Sequence, residues 1–553
     1  MNIVNKTLAA CVVSAFAFAP AAMAADIVIA QGAGFDDPTP ATPVGGNAGT
    51  TVGEQRLIAF EFAASLWGAI LVSDVQIVVN SAFAPQTCSA QGGVLGGASP
   101  VFIEADFPNA PVADTWYFSA LANSLAGSDL NPGGNDINAT FNASIDNNDD
   151  CLAGSNWYYG LDNNPPGGDI DFLNVVMHEI AHGLGSASVV SVSNGTLPAG
   201  RPDIYSRFAF DTDLGLFYNQ MTDAQRAASV VNTGAVVWDG PAVNSLAADL
   251  LAASLVGEIT APPLGAIDLQ TATFGPPVGD DGLTGDLVLI DDGVGTGTDG
   301  CEALTPASAA AVSGNIALID RGSCNFTVKT ANAQAAGAVA VVIANNAAPG
   351  LPPLGGNDAS INIPTVGITL ADGNAIKSEL PGVTISLSFD PSQLAGANDD
   401  GLVRLFAPSP VQPGSSFSHW DTSAAPNLLM EPSITGTLEA AINVDLTVPL
   451  YADIGWGVFD EDTDQIPDVN DNCTLASNGH QRDTDGDGFG NICDADLNND
   501  GTINVVDLGL LRQRFFTADE DADFNGDGVV NVADLGILRA SFFGAPGPSG
   551  VDF

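Results

Sequence analysis

Residues 174–185 read NVVMHEIAHGLG, and the spacing of two histidines in this stretch constrains the fold more than any other feature. On an α-helix, side chains four residues apart lie on one face, so His178 and His182 can present ring nitrogens to the same ion. Glu179 lies beside them, where a carboxylate can take a proton from a bound water. Apolar residues recur through the segment at helical spacing, at Leu173, Met177, Ile180 and Leu184. The pattern predicts a helix with one buried stripe that carries a zinc site and a general base.

The third zinc ligand does not follow where the compact pattern places it. A catalytic zinc site takes three protein ligands and keeps one position open. Gly185 fits the glycine of H-E-x-x-H-x-x-G-x-x-H, but Ser188 stands at the position of the last histidine. The chain has four histidines, and His480 lies among acidic residues that are typical of calcium loops. His419 is therefore the predicted third ligand, while an Asp or Glu ligand stays open as an alternative.

The surroundings of His419 carry a resemblance to a known family. The combination of HEIAHGLG, SHWD and NLLMEP resembles the leishmanolysin-type metzincins, in which a domain is inserted between the glycine and the third histidine. The resemblance implies zinc ligands at His178, His182 and His419, a general base at Glu179 and a methionine turn at Met430. It implies a zincin catalytic domain in two parts, 25–257 and 393–457. Ser186 departs from the family, in which a bulky residue commonly follows the glycine.

Residues 258–392 differ in amino-acid composition from both flanking parts. They are rich in Gly, Ala, Val and Ile, and they include GNIALIDRGSCNF, NAQAAGAVAVVIANN and IPTVGI. These stretches resemble a protease-associated (PA) domain, a small non-catalytic α/β module found within peptidases. The predicted fold class is therefore a multidomain α+β chain. In this prediction, a metzincin-like zincin domain is split by an inserted α/β PA domain and followed by C-terminal calcium-binding repeats.

The C-terminal part is acidic and repetitive. Residues 458–494 resemble a thrombospondin type 3 repeat, in which alternate Asp and Asn side chains supply oxygen ligands for Ca²⁺. Residues 495–545 contain two copies of one pattern, at 496–516 and 523–543, that resemble a type I dockerin; the resemblance implies a cohesin-like partner. The predicted calcium ligands are Asp496, Asn498, Asp500, Asn504 and Asp507 in the first copy, and Asp523, Asn525, Asp527, Asn531 and Asp534 in the second.

The first residues and the cysteines indicate an exported chain. Residues 1–24 have a weakly basic start, an apolar stretch and an A-x-A cleavage site, which predicts a signal peptide and a secreted or cell-surface location. No later segment is long enough to span a membrane. The six cysteines beyond the signal fall in three neighbourhoods, and 15 pairings are open to them. Locality favours the pairs Cys88–Cys151, Cys301–Cys324 and Cys473–Cys493.

Charge and motifs together lead to two hypotheses from different classes. A formal net charge of −52 would repel nucleic acid and anionic membranes. The first hypothesis is a secreted zinc metalloendopeptidase that hydrolyses proteins or peptides and carries structural Ca²⁺. The second is a non-catalytic, calcium-dependent adhesion or scaffold protein built on a degenerate zincin domain, and the serine at position 188 favours it.

Overall fold

A computed structural model describes residues 24–551, apart from 91, 280, 348, 349, 353, 357, 359, 435–437 and 439–444. The predicted signal peptide lies almost wholly outside the described residues. Among the described helices, we find none that is both long and apolar enough to cross a membrane.

The first part of the chain builds a four-stranded sheet with two long helices against it. The sheet order is β1-β3-β9-β6, with β6 antiparallel to its neighbour β9 and the other pairs parallel. Helix α1 begins at a capping box formed by Thr51 and Glu54, and it packs on α3. The elements of this part are β1 Ile27–Gln31, α1 Val52–Ile70, β2 Leu71–Val72, β3 Ile77–Ala84, β4 Cys88–Ser89, β5 Gly92–Gly93, β6 Gly96–Pro100, β7 Ile103–Glu104, β8 Tyr117–Phe118, α2 Ser119–Ala126, β9 Ile137–Asn142, β10 Trp157–Tyr158, β11 Ile170–Asp171 and α3 Phe172–Leu184.

A second group of elements shares one hydrophobic core with the first. Residues from 25–251 and from 397–456 belong to a single buried cluster, as Trp67 against Tyr451 and Trp238 against Trp420 illustrate. The two parts that the sequence predicts for a catalytic domain therefore form one body, here called the catalytic lobe after that prediction. Its remaining elements are β12 Ala209–Asp211, β13 Leu216–Phe217, α4 Asp223–Ser229, β14 Val236–Trp238, α5 Pro241–Leu250, α9 Thr447–Ile454 and β23 Gly457–Val458.

The inserted module has its own sheet and its own core. Eight strands run in the order β16-β15-β22-β18-β19-β20-β21-β17, and helices cover the sheet. The first strand, β15, pairs antiparallel with the last, β22, so the module begins and ends at adjacent positions. Its sheet runs from Ala253 to Leu394, slightly beyond the predicted limits of 258 and 392. The elements are β15 Ala253–Ala261, β16 Gly265–Ile267, β17 Leu269–Thr271, β18 Leu283–Leu289, α6 Pro306–Val312, β19 Ile316–Asp320, α7 Phe326–Ala335, β20 Ala340–Ala344, β21 Thr365–Ile368, α8 Leu370–Glu379 and β22 Thr384–Leu394.

The C-terminal part consists of loops and two short helices. Each of the two duplicated loops leads directly into a helix, α10 Val505–Arg514 and α11 Val532–Ala540, and Ile503, Leu511, Val530 and Leu538 form part of a small core between them. The structure pairs the cysteines as Cys88–Cys151, Cys301–Cys324 and Cys473–Cys493.

Candidate metal centre

Helix α3 is buried on every side. Asp171 caps its start by accepting a hydrogen bond from the Asn174 N–H (3.3 Å), and all 13 helical residues are buried. The prediction of a single buried stripe is therefore wrong. Three of its carbonyl groups accept hydrogen bonds from aromatic side chains. Trp67 donates to the Met177 carbonyl, Tyr451 to that of Ala181 and Trp456 to that of Leu184. These donors come from both parts of the catalytic lobe and hold the helix in place.

The helix ends at a glycine that no other residue replaces without strain. Gly185 has a φ of 131°, and a Cβ added there would lie 2.8 Å from the Ile454 side chain. The turn after it brings the Ser186 carbonyl back to His182, where it accepts a hydrogen bond from ring nitrogen Nδ1 (2.8 Å). The departure at Ser186 thus leaves the orientation of His182 intact, because the contact uses the backbone.

The three predicted histidine ligands meet at one point. Nε2 of His419 lies 3.2 Å from Nε2 of His182 and 3.3 Å from Nε2 of His178. In each ring the other nitrogen, Nδ1, is held by a backbone carbonyl at 2.7–2.8 Å, those of Leu429, Ser186 and Ser415. A carbonyl only accepts, so each Nδ1 carries the proton and each Nε2 directs a lone pair at the same space.

This donor set fits a zinc ion. Lone pairs that face one another at 3.2 Å repel unless a cation lies between them. Tetrahedral coordination with Zn–N bonds of about 2.0–2.1 Å places ligand nitrogens about 3.3–3.4 Å apart, which matches the distances found. The carbonyl partners supply the outer hydrogen bonds that orient histidine ligands in metal sites.

Burial keeps these rings neutral. It lowers the pKa of His178 to about 4, and burial together with the charge of His178 lowers the pKa of His182 to about 3. The pKa of His419 lies well below its ordinary value for the same reasons. A metal binds neutral imidazole, so at pH 7 the rings are already in the protonation state that binding needs.

Glu179 lies at the edge of this cluster with one oxygen available. Its carboxylate accepts a hydrogen bond from the Ala98 N–H, while Oε2 is buried and has no partner among the described residues. Burial raises the pKa of Glu179 to about 8. A carboxylate with one oxygen held by a backbone N–H and the other without a partner can take a proton and return it.

Strand β6 borders the site and has one unpaired edge in its sheet. The Asn142 N–H bonds to the Leu95 carbonyl (2.8 Å), and because antiparallel pairs alternate, Gly97 and Ser99 also face β9. Gly96, Ala98 and Pro100 therefore direct their backbone groups away from the sheet. A Cβ at Gly96 would lie 3.2 Å from Glu179 Oε1, which shows how closely this strand approaches the carboxylate.

The turn at 428–431 supports two of the histidines through its backbone. The Leu429 carbonyl holds His178, and the Met430 carbonyl accepts from the N–H of Trp420, the neighbour of His419 (2.8 Å). Two buried carboxylates hold the turn in place: Glu431 accepts from the Leu428 N–H (2.9 Å), and Asp445 accepts from the Leu429 N–H. Met430 itself is 1% exposed.

Ser188 does not approach the histidine cluster as a ligand. Its hydroxyl donates to the buried carboxylate of Asp203 (2.7 Å), and its N–H donates to the Ser418 hydroxyl (3.2 Å). The residue at the missing-histidine position therefore fixes the segment that supplies His419. Sequence reasoning did not identify this role, nor those of Ala98, Glu431 and Asp445.

The predicted calcium residues occupy two similar loops. In the first, the carboxylate of Asp507 accepts from the Asn504 N–H (2.7 Å), and Asn504 caps α10. In the second, Asp534 and Asn531 do the same for α11. Asp496 and Asp523 each accept backbone N–H groups from within their loops. The remaining predicted ligands, Asn498, Asp500, Asn525 and Asp527, lie at the exposed side of the loops.

Three further clusters of acidic side chains bring their oxygens closer together than the side chains of those loops do. Sets of three carboxylates with oxygens within 4.8 Å of one another occur in the 458–494 segment and in the inserted module. Sequence reasoning assigned calcium to the segment without naming ligands, although the D-x-D-x-D spacing was visible. The sets are Asp460, Asp462 and Asp464; Asp483, Asp485 and Asp487; and Asp292, Asp299 and Glu302.

Comparison with known proteins places one module. Residues 283–376 match the PA domain family, so the prediction of a PA domain is confirmed. The chain is similar to the aminopeptidase YwaD of Bacillus subtilis, with 39% identity over 114 residues, which are 20% of this chain and 22% of that protein. It is also similar to an aminopeptidase of Pseudomonas aeruginosa, with 48% identity over 66 residues, or 11% and 12% of the two chains. The chain thus spans less than a quarter of the length of these relatives.

Among solved structures, one match is a zinc aminopeptidase from Bacillus subtilis, with 28% identity and a TM-score of 0.20. The match covers 27% of this chain and 36% of that one. An aminopeptidase from Aneurinibacillus matches at 29% identity with a TM-score of 0.20, over 26% and 31% of the two chains.

Proposed function

We propose that this protein is a secreted, zinc-dependent metalloendopeptidase of the metzincin type. The observation that carries the proposal is the convergence of three histidine Nε2 atoms at 3.2–3.3 Å, each with its Nδ1 proton held by a carbonyl. The zinc ligands are His178, His182 and His419. The similarity to aminopeptidases supports peptide hydrolysis as the general reaction.

The residues divide the reaction between them. Zinc in this site would supply the Lewis acidity that polarises a peptide carbonyl and acidifies a water. Glu179 would accept the proton of the attacking water at Oε2 and later deliver it to the leaving amine nitrogen. The Ala98 N–H holds the other side of that carboxylate, so Glu179 keeps its orientation while its charge changes.

The outward face of β6 favours extended chains as substrates. The backbone groups of Gly96, and the carbonyls of Ala98 and Pro100, can pair with a polypeptide strand that lies beside β6; the Ala98 N–H is taken by Glu179. Such pairing recognises main chain on both sides of the bond that is cut. It therefore favours cleavage within a chain.

Aminopeptidase activity is the second candidate, because the similar bacterial proteins carry that name. The two activities differ in what they need at the substrate N-terminus. An endopeptidase should cleave an N-acetylated peptide as fast as the free one, whereas an aminopeptidase needs the free α-amino group.

We also propose that the acidic C-terminal modules bind structural Ca²⁺ and that the duplicated loops form a docking module for a cohesin-like partner. Export to the cell surface or beyond, through the signal peptide at 1–24, agrees with three disulfide pairs. The duplicated loops carry Asp at positions 1, 5 and 12 and Asn at position 3, and carboxylate and amide oxygens are the hard ligands that Ca²⁺ prefers.

The decisive experiment pairs metal analysis with activity in three variants. Glu179→Gln should retain one zinc per chain and lose at least about 100-fold in hydrolysis of a denatured protein. His419→Ala should lose zinc and activity together. Glu61→Gln, an exposed glutamate on α1, is the matched control and should behave as wild type. A wild-type protein without zinc would instead support the adhesion or scaffold hypothesis, and a zinc-replete, active His419→Ala would indicate a carboxylate ligand.

A further inference from the structure

The acidic loop at 460–471 contains buried carboxylate oxygens without partners. Asp471 is 1% exposed; one of its oxygens accepts from Cys473 and Gln481 at 2.8 Å, and the other has no partner among the described residues. One buried oxygen of Asp462 is in the same condition within the described part of the chain. A buried carboxylate oxygen that accepts no hydrogen bond is costly unless a cation satisfies it, so this loop has the character of a cation site.

The spacing of the loop matches one calcium ion. Asp460, Asp462, Asp464 and Asp471 stand at positions 1, 3, 5 and 12 of a twelve-residue loop, and Ile466 stands at position 7, where such loops use the backbone carbonyl. The oxygens of the first three carboxylates lie within 4.8 Å of one another. Calcium binding by this loop is expected from its resemblance to a thrombospondin type 3 repeat. The position of the loop in the fold is not expected from that resemblance.

This loop is built onto the catalytic lobe. Strand β23, immediately before it, pairs with β2, and the Phe459 N–H bonds to the Ile70 carbonyl at the end of α1 (3.0 Å). The Ile466 side chain packs against the main core of the lobe. The 3-10 turn Asp468–Asn470 contacts α1. The loop thus surrounds Ile466, whose side chain packs against the core of the catalytic lobe.

The same loop forms one wall of a cleft that reaches the support of the zinc site. The cleft has a volume of about 390 Å³, and its lining includes Gln465, Ile466 and Pro467 of the loop together with Pro426 and Asp445. Asp445 is the buried carboxylate that holds the Leu429 N–H, and the Leu429 carbonyl holds His178 (2.7 Å).

A second connection runs through the helices of the lobe. His480, close behind the loop, pairs with Asp249 of α5 at 3.1 Å. Helix α5 is joined to α9 by Asp453, whose carboxylate accepts from the Ala242 N–H (2.8 Å). Helix α9 begins two residues after Asp445, whose carboxylate accepts a hydrogen bond from the Thr447 N–H (3.0 Å).

We propose that the calcium ion bound by Asp460, Asp462, Asp464 and Asp471 is a structural part of the catalytic lobe and positions the zinc ligands. With the ion bound, Ile466 is fixed against the lobe core, and the part of the cleft lining that the loop supplies beside Asp445 is held in place. Asp445 acts as a positioning residue, because it reaches His178 only through Leu429. The inference rests on the proposed zinc site and adds that zinc and calcium binding are coupled.

The test measures zinc affinity in the metal-stripped full-length chain by competition with a chromophoric chelator, without calcium and with about 1 mM calcium. We expect calcium to tighten zinc binding by about tenfold, within the usual range of coupling between sites. Asp471→Asn should still bind zinc but lose the calcium effect. Asp534→Asn, the matched change at position 12 of a tail loop, should keep it.

The outcomes separate this inference from the proposed function. Zinc binding that changes less than about twofold with calcium overturns the inference and leaves the peptidase proposal intact. Loss of the effect in both variants, or in Asp534→Asn alone, also overturns it. If the wild type binds no zinc, the proposed function fails. Calorimetry then tests whether the calcium ion is a structural part of the catalytic lobe. Calcium should then raise the unfolding temperature of the lobe in wild type and in Asp534→Asn but not in Asp471→Asn; an unchanged temperature in wild type overturns it.

Discussion

Replacement of Glu431 by Gln should make the catalytic lobe more stable in alkali. Burial, and secondly the charges of Asp445 and Asp421, raise the pKa of Glu431 from 4.5 to about 8, and the residue is 3% exposed. An acid whose pKa is raised by folding contributes stability below its unfolded pKa and loses that contribution as pH rises through the folded value. The window is therefore pH 4.5 to 8. The full difference corresponds to at most about 5 kcal/mol of unfolding free energy.

The variant isolates this effect, because Gln keeps an oxygen that can accept the Leu428 N–H. Denaturant unfolding of Glu431→Gln and wild type should give similar free energies near pH 5 and a difference of several kcal/mol in favour of the variant near pH 9. The exposed Glu61→Gln should differ from wild type by about 0.5 kcal/mol or less at both pH values. A difference for Glu431→Gln that does not change with pH would refute burial as the cause.

Two further changes test the helix end and a disulfide. Gly185→Ala should lower the unfolding free energy by about 1–3 kcal/mol, because the φ of 131° and the 2.8 Å approach of Ile454 leave no room for a Cβ; unchanged thermal unfolding would contradict this. The double change Cys88→Ala and Cys151→Ala should cost about 4 kcal/mol, because it opens a loop of 63 residues, and calorimetry at neutral pH measures it. A loss under about 1 kcal/mol would show that the unfolded chain is compact there.

Helix α3 could be predicted from sequence, because its histidine spacing and its apolar spacing have the same period. The stripe was wrong because strands β6 and β9 and helices α1 and α2 all pack against the helix, so no face of it is left to water. The place of His419 beside the helix was predicted from the small number of histidines in the chain and from the family resemblance. Spacing could not predict it, because 237 positions separate His419 from His182.

The supporting residues could not be predicted, for two physical reasons. Strand β6 reads GGASP, which has neither β-branched residues nor an apolar alternation, so its identity depends on pairing with β9. Glu431 and Asp445 are single acidic residues next to apolar ones, and acidic residues are usually solvated. Their burial depends on backbone N–H groups that only the folded turn presents.

The adjacency of β15 and β22 bears on the order in which the molecule assembles. His182 and His419 belong to one site, yet a whole module is synthesised between them. The two histidines are 237 positions apart, and the module takes up Ala253–Leu394 of that distance. If the module folds first, its two ends come together, and the chain to be closed between the histidines shrinks to about 95 residues, which is little more than one halving and lowers the closure entropy by about 0.8 kcal/mol. Early folding of the inserted module would then speed the assembly of the site.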